Sequence, residues 1–338
     1  MKILAMFCLL AASSALQAAK PLEVYFIDVE GGQSTLIVSP SGQALLIDTG
    51  WRGFNGRDAD RIVQAAKSAK VKQLDSVLIT HFHRDHVGGV TQLLDRMKVG
   101  TFYDHGPNTE DSKVTREDYA DYEKALARAS QHVVLKPGDT VPVKGITVQV
   151  LASNGEHIGK PLDGAGQPNP MCASAVKKAP DPSENAHSLG VIVSYGSFRL
   201  LDLGDLTWNK ELELACPNNL IGTVDVYLTT HHGSEPSGPP QIVHALHPRV
   251  AIMNNGAKKG GSPAAWQIVK DSPGLEDLWQ LHYSMEGGAA HNVADTYIAN
   301  VDEACEGKNL KLTAESNGSF TVVNSRNKYQ KSYGAAAR

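Results

Sequence analysis

Between positions 80 and 89 the chain reads Thr80-His81-Phe82-His83-Arg84-Asp85-His86-Val87-Gly88-Gly89, with three histidines and an aspartate inside six residues. The apolar run Ser76-Val77-Leu78-Ile79 precedes it and reads as a short buried strand, so the cluster lies on the loop where that strand ends. His81 and His83 are two apart, and in extended backbone such residues project to the same side. Asp85 and His86 follow as the chain turns. Imidazole and carboxylate are the usual ligands of a zinc-type ion, and grouping them on one turn limits the entropy lost in assembling a site. A solvated histidine-rich loop is the plain alternative, but the strand context weighs against it. The spacing points to a metal site.

The rest of the composition is ordinary for a globular chain: 338 residues, 41% hydrophobic, 20% charged, net charge -4. Nothing in that balance favours nucleic acid as a partner, and no basic stripe stands out. Residues 1–19 read as a secretory signal: Lys2, then apolar Ile3 to Leu10, then small residues from Ser13 to Ala19, with cleavage after Ala18 or Ala19. No later run reads as a membrane span. The expectation is an exported chain, periplasmic or extracellular, with residues 20–338 forming a single domain that carries a C-terminal elaboration. Cys172, Cys216 and Cys305 then remain, and spacing does not choose a pair.

Strands are expected at Leu22 to Asp28, Ser34 to Ser39 and Gln43 to Asp48, the last ending in Ile47-Asp48-Thr49-Gly50. Asp58 is placed as the cap of a helix from Ala59 to Lys70, and Thr115 as the start of another to Ser130. Thr140 to Val143 and Ile146 to Leu151 pair, with Pro142 confining the first to a sheet edge. Ala152 to Ala186 has no periodicity and reads as a long loop. Beyond it come a hairpin turned at Tyr195-Gly196, a strand over Asp225 to Leu228, alternating strands and helices, and a hairpin at Asn317-Gly318. The alternation predicts an α/β fold with helices outside two packed sheets.

Polar residues recur at strand tips: Asp48, the histidine cluster, Asp205 in Leu203-Gly204-Asp205, and His231-His232-Gly233-Ser234. This combination resembles the metallo-β-lactamase fold superfamily, and within it the branch of DNA-uptake competence proteins and phosphorylcholine esterases. Ile27-Asp28-Val29-Glu30-Gly31-Gly32-Gln33 is similar to that branch's Asp-Val-Gly-Gln-Gly opening, with an altered middle. The resemblance covers Leu22 to Ser234 and implies a four-layered αββα sandwich holding two divalent ions, Zn2+ with Mn2+ as the alternative. It implies that His81 and His83 hold the first ion, Asp85 and His86 the second, that Asp205 bridges them, and that His231 or His232 completes the second site. His231 is preferred because it directly ends its strand. Asp48 then supports the histidine loop through hydrogen bonds. The family's third histidine, four residues before the strand starting at Ser188, is Glu184 here; Glu184, His187 or water could fill that place.

The expected chemistry is hydrolysis by a metal-bridged hydroxide, with Asp85 orienting it or accepting its proton. A small-molecule phosphoester or phosphodiester is the leading substrate class; a β-lactam, lactone or thioester is the alternative, and a non-catalytic exported metal- or ligand-binding protein the second. Lone His105 and His291 default to structural roles, and Lys258-Lys259-Gly260-Gly261-Ser262 to a solvated turn, although its backbone could hold an anion.

Overall fold

The structure is a computed structural model describing residues 20–336; the expected signal segment lies outside the described residues. Strands β1 (Leu22–Phe26), β2 (Thr35–Val38), β3 (Ala44–Ile47), β4 (Leu74–Leu78), β5 (Val99–Asp104) and β6 (Gln131–Val134) build one sheet in that order. The chain then crosses to a second sheet made of β7 (Thr140–Val141), β8 (Thr147–Ser153), β9 (Glu156–His157), β10 (Gly190–Tyr195), β11 (Phe198–Asp202), β12 (Val226–Leu228), β13 (Val250–Met253), β14 (Asp277–His282) and β15 (Ile298–Asn300). Finally β16 (Leu310–Ala314), β17 (Phe320–Asn324) and β18 (Gln330–Tyr333) return to the first sheet, β16 pairing antiparallel with β1. Each sheet has nine strands among the described residues.

Strand alternation sorts the apolar side chains into three layers of contact. Leu22, Val24 and Phe26 face Val148, Val150, Val191 and Val193 in a core between the sheets. Tyr25, Leu36 and Val77 turn outward onto helices α1 (Arg57–Ser68), α3 (Val90–Leu94) and α4 (Lys113–Leu126), through Ile62, Leu93 and Tyr122; the single-turn helix α2 (Arg84–Val87) lies between them in sequence. On the far side, Leu201, Tyr227 and Met253 meet Leu214, Ile242 and Trp266 of α5 (Trp208–Ala215), α6 (Pro240–Leu246) and α7 (Pro263–Lys270). The result is an αββα sandwich.

Three expectations need correcting. Asp58 does not cap α1, whose N-cap is Gly56 in a left-handed conformation; the buried Asp58 carboxylate accepts from Trp51 N at 2.9 Å. The helix expected from Thr115 begins at Lys113, with Ser112 as its cap and Thr115 N donating to the serine hydroxyl. The Ala152 to Ala186 stretch contains β9 and two 3-10 turns, and a disulfide from Cys172 to Cys216 ties it to the end of α5. Cys305 stays a free thiol.

What matters for function is the direction of the strands. β3 through β6 run parallel in one sheet and β11 through β15 run parallel in the other. Loops at the carboxyl ends of parallel strands gather on one edge, the usual place for a site in such sheets. Asp48, the histidine loop, Asp205 and His231-His232 all follow such ends.

Candidate metal centre

The histidine loop is fixed first by Asp48, just past β3. Its Oδ1 accepts from Thr80 N at 2.8 Å, and its Oδ2 accepts from Thr80 Oγ1 and pairs with His86 Nδ1, both at 2.7 Å. A proton held on Nδ1 leaves Nε2 with its lone pair free. Gly204 brings the next loop in: at φ +56 it packs so closely that a Cβ there would lie 2.9 Å from Thr80 Cβ. Leu189 N donates to Thr80 O at 2.8 Å, tying the start of the second sheet's hairpin to the same residue.

These constraints bring Asp85, His86, Asp205 and His232 together, one ligand atom from each lying within 4.8 Å of the others. The spacing is more specific than that. His86 Nε2 lies 3.2 Å from Asp85 Oδ2, 3.3 Å from Asp205 Oδ1 and 3.2 Å from His232 Nε2. His232 Nε2 lies 3.2 Å from Asp85 Oδ2 and 3.3 Å from Asp205 Oδ1. Donors about 2.0 Å from a tetrahedral zinc-type ion are separated by edges of about 3.3 Å. Asp205 Oδ1 is buried without a hydrogen-bond partner. Burial alone would depress the His86 imidazole, but Asp205, Asp85 and Asp48 outweigh it and push it well above its ordinary value, so the pocket favours positive charge. The donor set fits a divalent cation.

Residues 27–167 match the Metallo-beta-lactamase superfamily. Over that stretch the chain is similar to this superfamily. Recombination protein 2 of Haemophilus influenzae is 26% identical over 243 residues, covering 71% of this chain and 25% of its own length. ComE operon protein 3 of Bacillus subtilis is 26% identical over 250 residues, covering 69% and 28%. The chain thus spans about a quarter of the length of these curated relatives. The metallo-beta-lactamase fold protein YhfI from Bacillus subtilis aligns over 77% of this chain and 96% of its own, with 11% identity and a TM-score of 0.47.

Set against the superfamily pattern, the remaining site residues divide. His231 and His232 both have positive φ, 55° and 56°, and this turn carries His232 Nε2 into the cluster. His231 stays at the rim, its Nε2 3.5 Å from Asp205 Oδ2 and its Nδ1 3.2 Å from Ser237 Oγ. The structure therefore gathers His232 where strand-end reasoning preferred His231. His81 is buried beside His86, with ring centroids 4.1 Å apart and an Nε2 that has no partner. Burial, together with the neighbouring imidazoles, holds it well below its ordinary pKa and so neutral. His83 faces elsewhere: its Nε2 pairs with Glu110 Oε2 at 2.8 Å.

Glu184, in the place of the third histidine, is not among the four clustered residues but braces the histidine loop, accepting from Phe82 N at 3.2 Å. One oxygen accepts from Thr109 N at 2.6 Å and Thr109 Oγ1 at 2.7 Å; the other pairs with His105 Nε2 at 2.9 Å. Burial would raise this carboxyl, but His105 and Thr109 outweigh it and bring it down to about 2. His187 bonds Asn154 Oδ1 at 3.1 Å, and His291 lies against Trp266. Two residues escaped sequence reasoning. Glu110 sits in a polar loop with no motif to flag it, and Lys259, read as part of a solvated turn, forms an ion pair with Asp85 Oδ2.

Proposed function

We propose that this chain is a metal-dependent hydrolase acting on phosphoester or phosphodiester bonds of small molecules. The observation that carries the metal dependence is the convergence of Asp85, His86, Asp205 and His232 at the carboxyl-end edge of both sheets, with both imidazole Nε2 atoms 3.2–3.3 Å from both carboxylates. The His-His-Gly-Ser ending and the altered Asp-Val-Glu-Gly-Gly-Gln opening support the phosphoester class by their resemblance to the competence-like and esterase-like branch.

When bound, a zinc-type ion supplies Lewis-acid polarisation of the scissile group and acidifies water. The chain's own residues do the rest. Asp48 holds the His86 proton on Nδ1, so Nε2 stays a donor. Burial would raise the Asp85 carboxyl, but Lys259 and His86 outweigh it and keep it ionised, an acceptor that can orient an attacking water. His81 adds a second neutral imidazole beside the cluster, and its unpartnered Nε2 is the donor available to a second ion. Zn2+ is the proposed metal because the donors are two imidazole nitrogens and two carboxylate oxygens, the donor types such an ion takes.

Export to the periplasm or beyond belongs to the same proposal. It is supported by the N-terminal signature and by the Cys172–Cys216 disulfide, since such bonds persist in oxidising compartments. No helix among the described residues is long and apolar enough to cross a membrane. The test is to load the purified protein with Zn2+ or Mn2+ and assay a chromogenic phosphodiester, a cephalosporin, a lactone and single-stranded DNA in parallel. Metal-dependent turnover of the phosphodiester above the others is expected. Turnover confined to the cephalosporin or lactone would replace the substrate class, preferred cleavage of DNA would replace the small-molecule partner, and bound metal without turnover would make this a binding protein.

A further inference from the structure

Lys259 is not a loosely held surface lysine. It lies on the loop between β13 and α7, and that loop is pinned on several sides. Gly256 N donates to Lys259 O at 2.8 Å, Gly261 N to His232 O at 2.9 Å, and Met285 N to Ala257 O at 2.9 Å. The packing beneath is close: a Cβ on Gly31 would lie 2.9 Å from Lys259 Cβ, and one on Gly260 would lie 2.3 Å from His232 O. The two glycines after Glu30, together with Gly256 and Gly260, let three loops touch at backbone distance. The root of the Lys259 side chain is therefore set relative to His232 and Asp85.

Its ammonium pairs with Asp85 Oδ2 and lies 4.9 Å from the centroid of the Trp51 ring, while the side chain stays a third exposed at the mouth of the centre. Other cations on neighbouring elements are committed elsewhere: Arg52 and Arg84 pair with Asp118, and Lys258 with Glu303. Asp85 Oδ2 is also one of the four donor atoms gathered at the candidate centre, 3.2 Å from both His86 Nε2 and His232 Nε2. Were a divalent ion held by these donors, it would draw on that oxygen, and the Lys259 ammonium would stand beside it on a side chain that is a third exposed. Two neighbouring positive centres attract an anion, and a lysine ammonium serves phosphoryl oxygens as a point charge.

We propose that Lys259 is the anchor for a charged non-bridging oxygen of a phosphoryl substrate at this centre. The inference rests on the hydrolase reading for its context but has a readout of its own. Metal-loaded wild type, Lys259→Met and Lys259→Arg are titrated with inorganic phosphate by calorimetry, and metal content is measured in each. Lys259→Met should keep its metal yet bind phosphate about tenfold more weakly, the scale of a lost charged hydrogen bond, while Lys259→Arg stays close to wild type. The KM of Lys259→Met for a chromogenic phosphodiester should rise by a larger factor than its KM for a neutral chromogenic acetate. Phosphate affinity unchanged in Lys259→Met, or loss of its metal, would overturn the proposal and make Lys259 a structural counter-ion of Asp85. Should the wild type bind phosphate through Lys259 yet cleave no phosphoester, the hydrolase reading fails and the anchor stands.

Discussion

Asp48 carries more of the centre than its distance from any substrate suggests. It is buried, holds the Thr80 backbone and hydroxyl, and fixes the proton of His86. Asp48→Asn keeps the shape but puts an amide where a second acceptor oxygen was, so the His86 tautomer loses its support. Metal affinity should fall about 10- to 100-fold, the usual cost of losing a partner of a ligating histidine, as read by competition with a chromogenic chelator. Unchanged affinity would mean that His86 is oriented by packing alone. Asp48 was legible in the sequence because a carboxylate at an apolar strand tip, followed by glycine, has few other uses. The choice between His231 and His232 was not, because it turns on two consecutive residues adopting positive φ. Only Gly233 hints at such a turn. Glu184 was legible as a departure but not as a partner of Thr109 and His105, which come from separate loops.

At the scale of elements, a second buried pair joins the sheets near the same edge. Asp28, just past β1, meets His282 at the end of β14 with Oδ1 2.7 Å from Nε2, and Cys305 lies 3.2 Å from the other carboxylate oxygen. Burial alone would depress the His282 imidazole; the bond to Asp28, helped by Cys305, outweighs it and pushes the group up to about 9 from 6.5. A raised histidine stabilises the fold fully below its unfolded value and loses that contribution as pH rises through the folded one. Stability should therefore drop between pH 6.5 and 9 by on the order of 3 kcal/mol from this group. Urea melts across that window should show the drop in wild type and a shallower dependence in His282→Gln; equal slopes would remove the pair from the pH response. Most elements were readable from period and turn residues, among them the hairpin turned at Tyr195-Gly196 and the C-terminal hairpin. That this hairpin pairs with β1, making the chain's last strands neighbours of its first, was not, since the contact links residues 22–26 to 310–314. The Asp28–His282 link spans a similar distance and was equally hidden.

For the whole molecule, the sandwich explains why four candidate metal ligands from distant segments can meet. Parallel strands in both sheets end at one edge, so Asp85 and His86 come from one sheet, Asp205 and His232 from the other, and the core of the sandwich sets the distance between them. A cation held there ties the two sheets together, so metal should stabilise the fold as well as equip the site. At free metal about 1,000-fold above Kd that linkage amounts to about 4 kcal/mol. The most direct measurement is metal content and chelator-induced change in Tm for wild type, His232→Ala and His231→Ala. Wild type and His231→Ala should hold the ion and lose thermal stability when it is stripped, whereas His232→Ala should hold none and show no change. Full metal content and an undiminished chelator effect in His232→Ala, with both lost in His231→Ala, would contradict a centre built on Asp85, His86, Asp205 and His232.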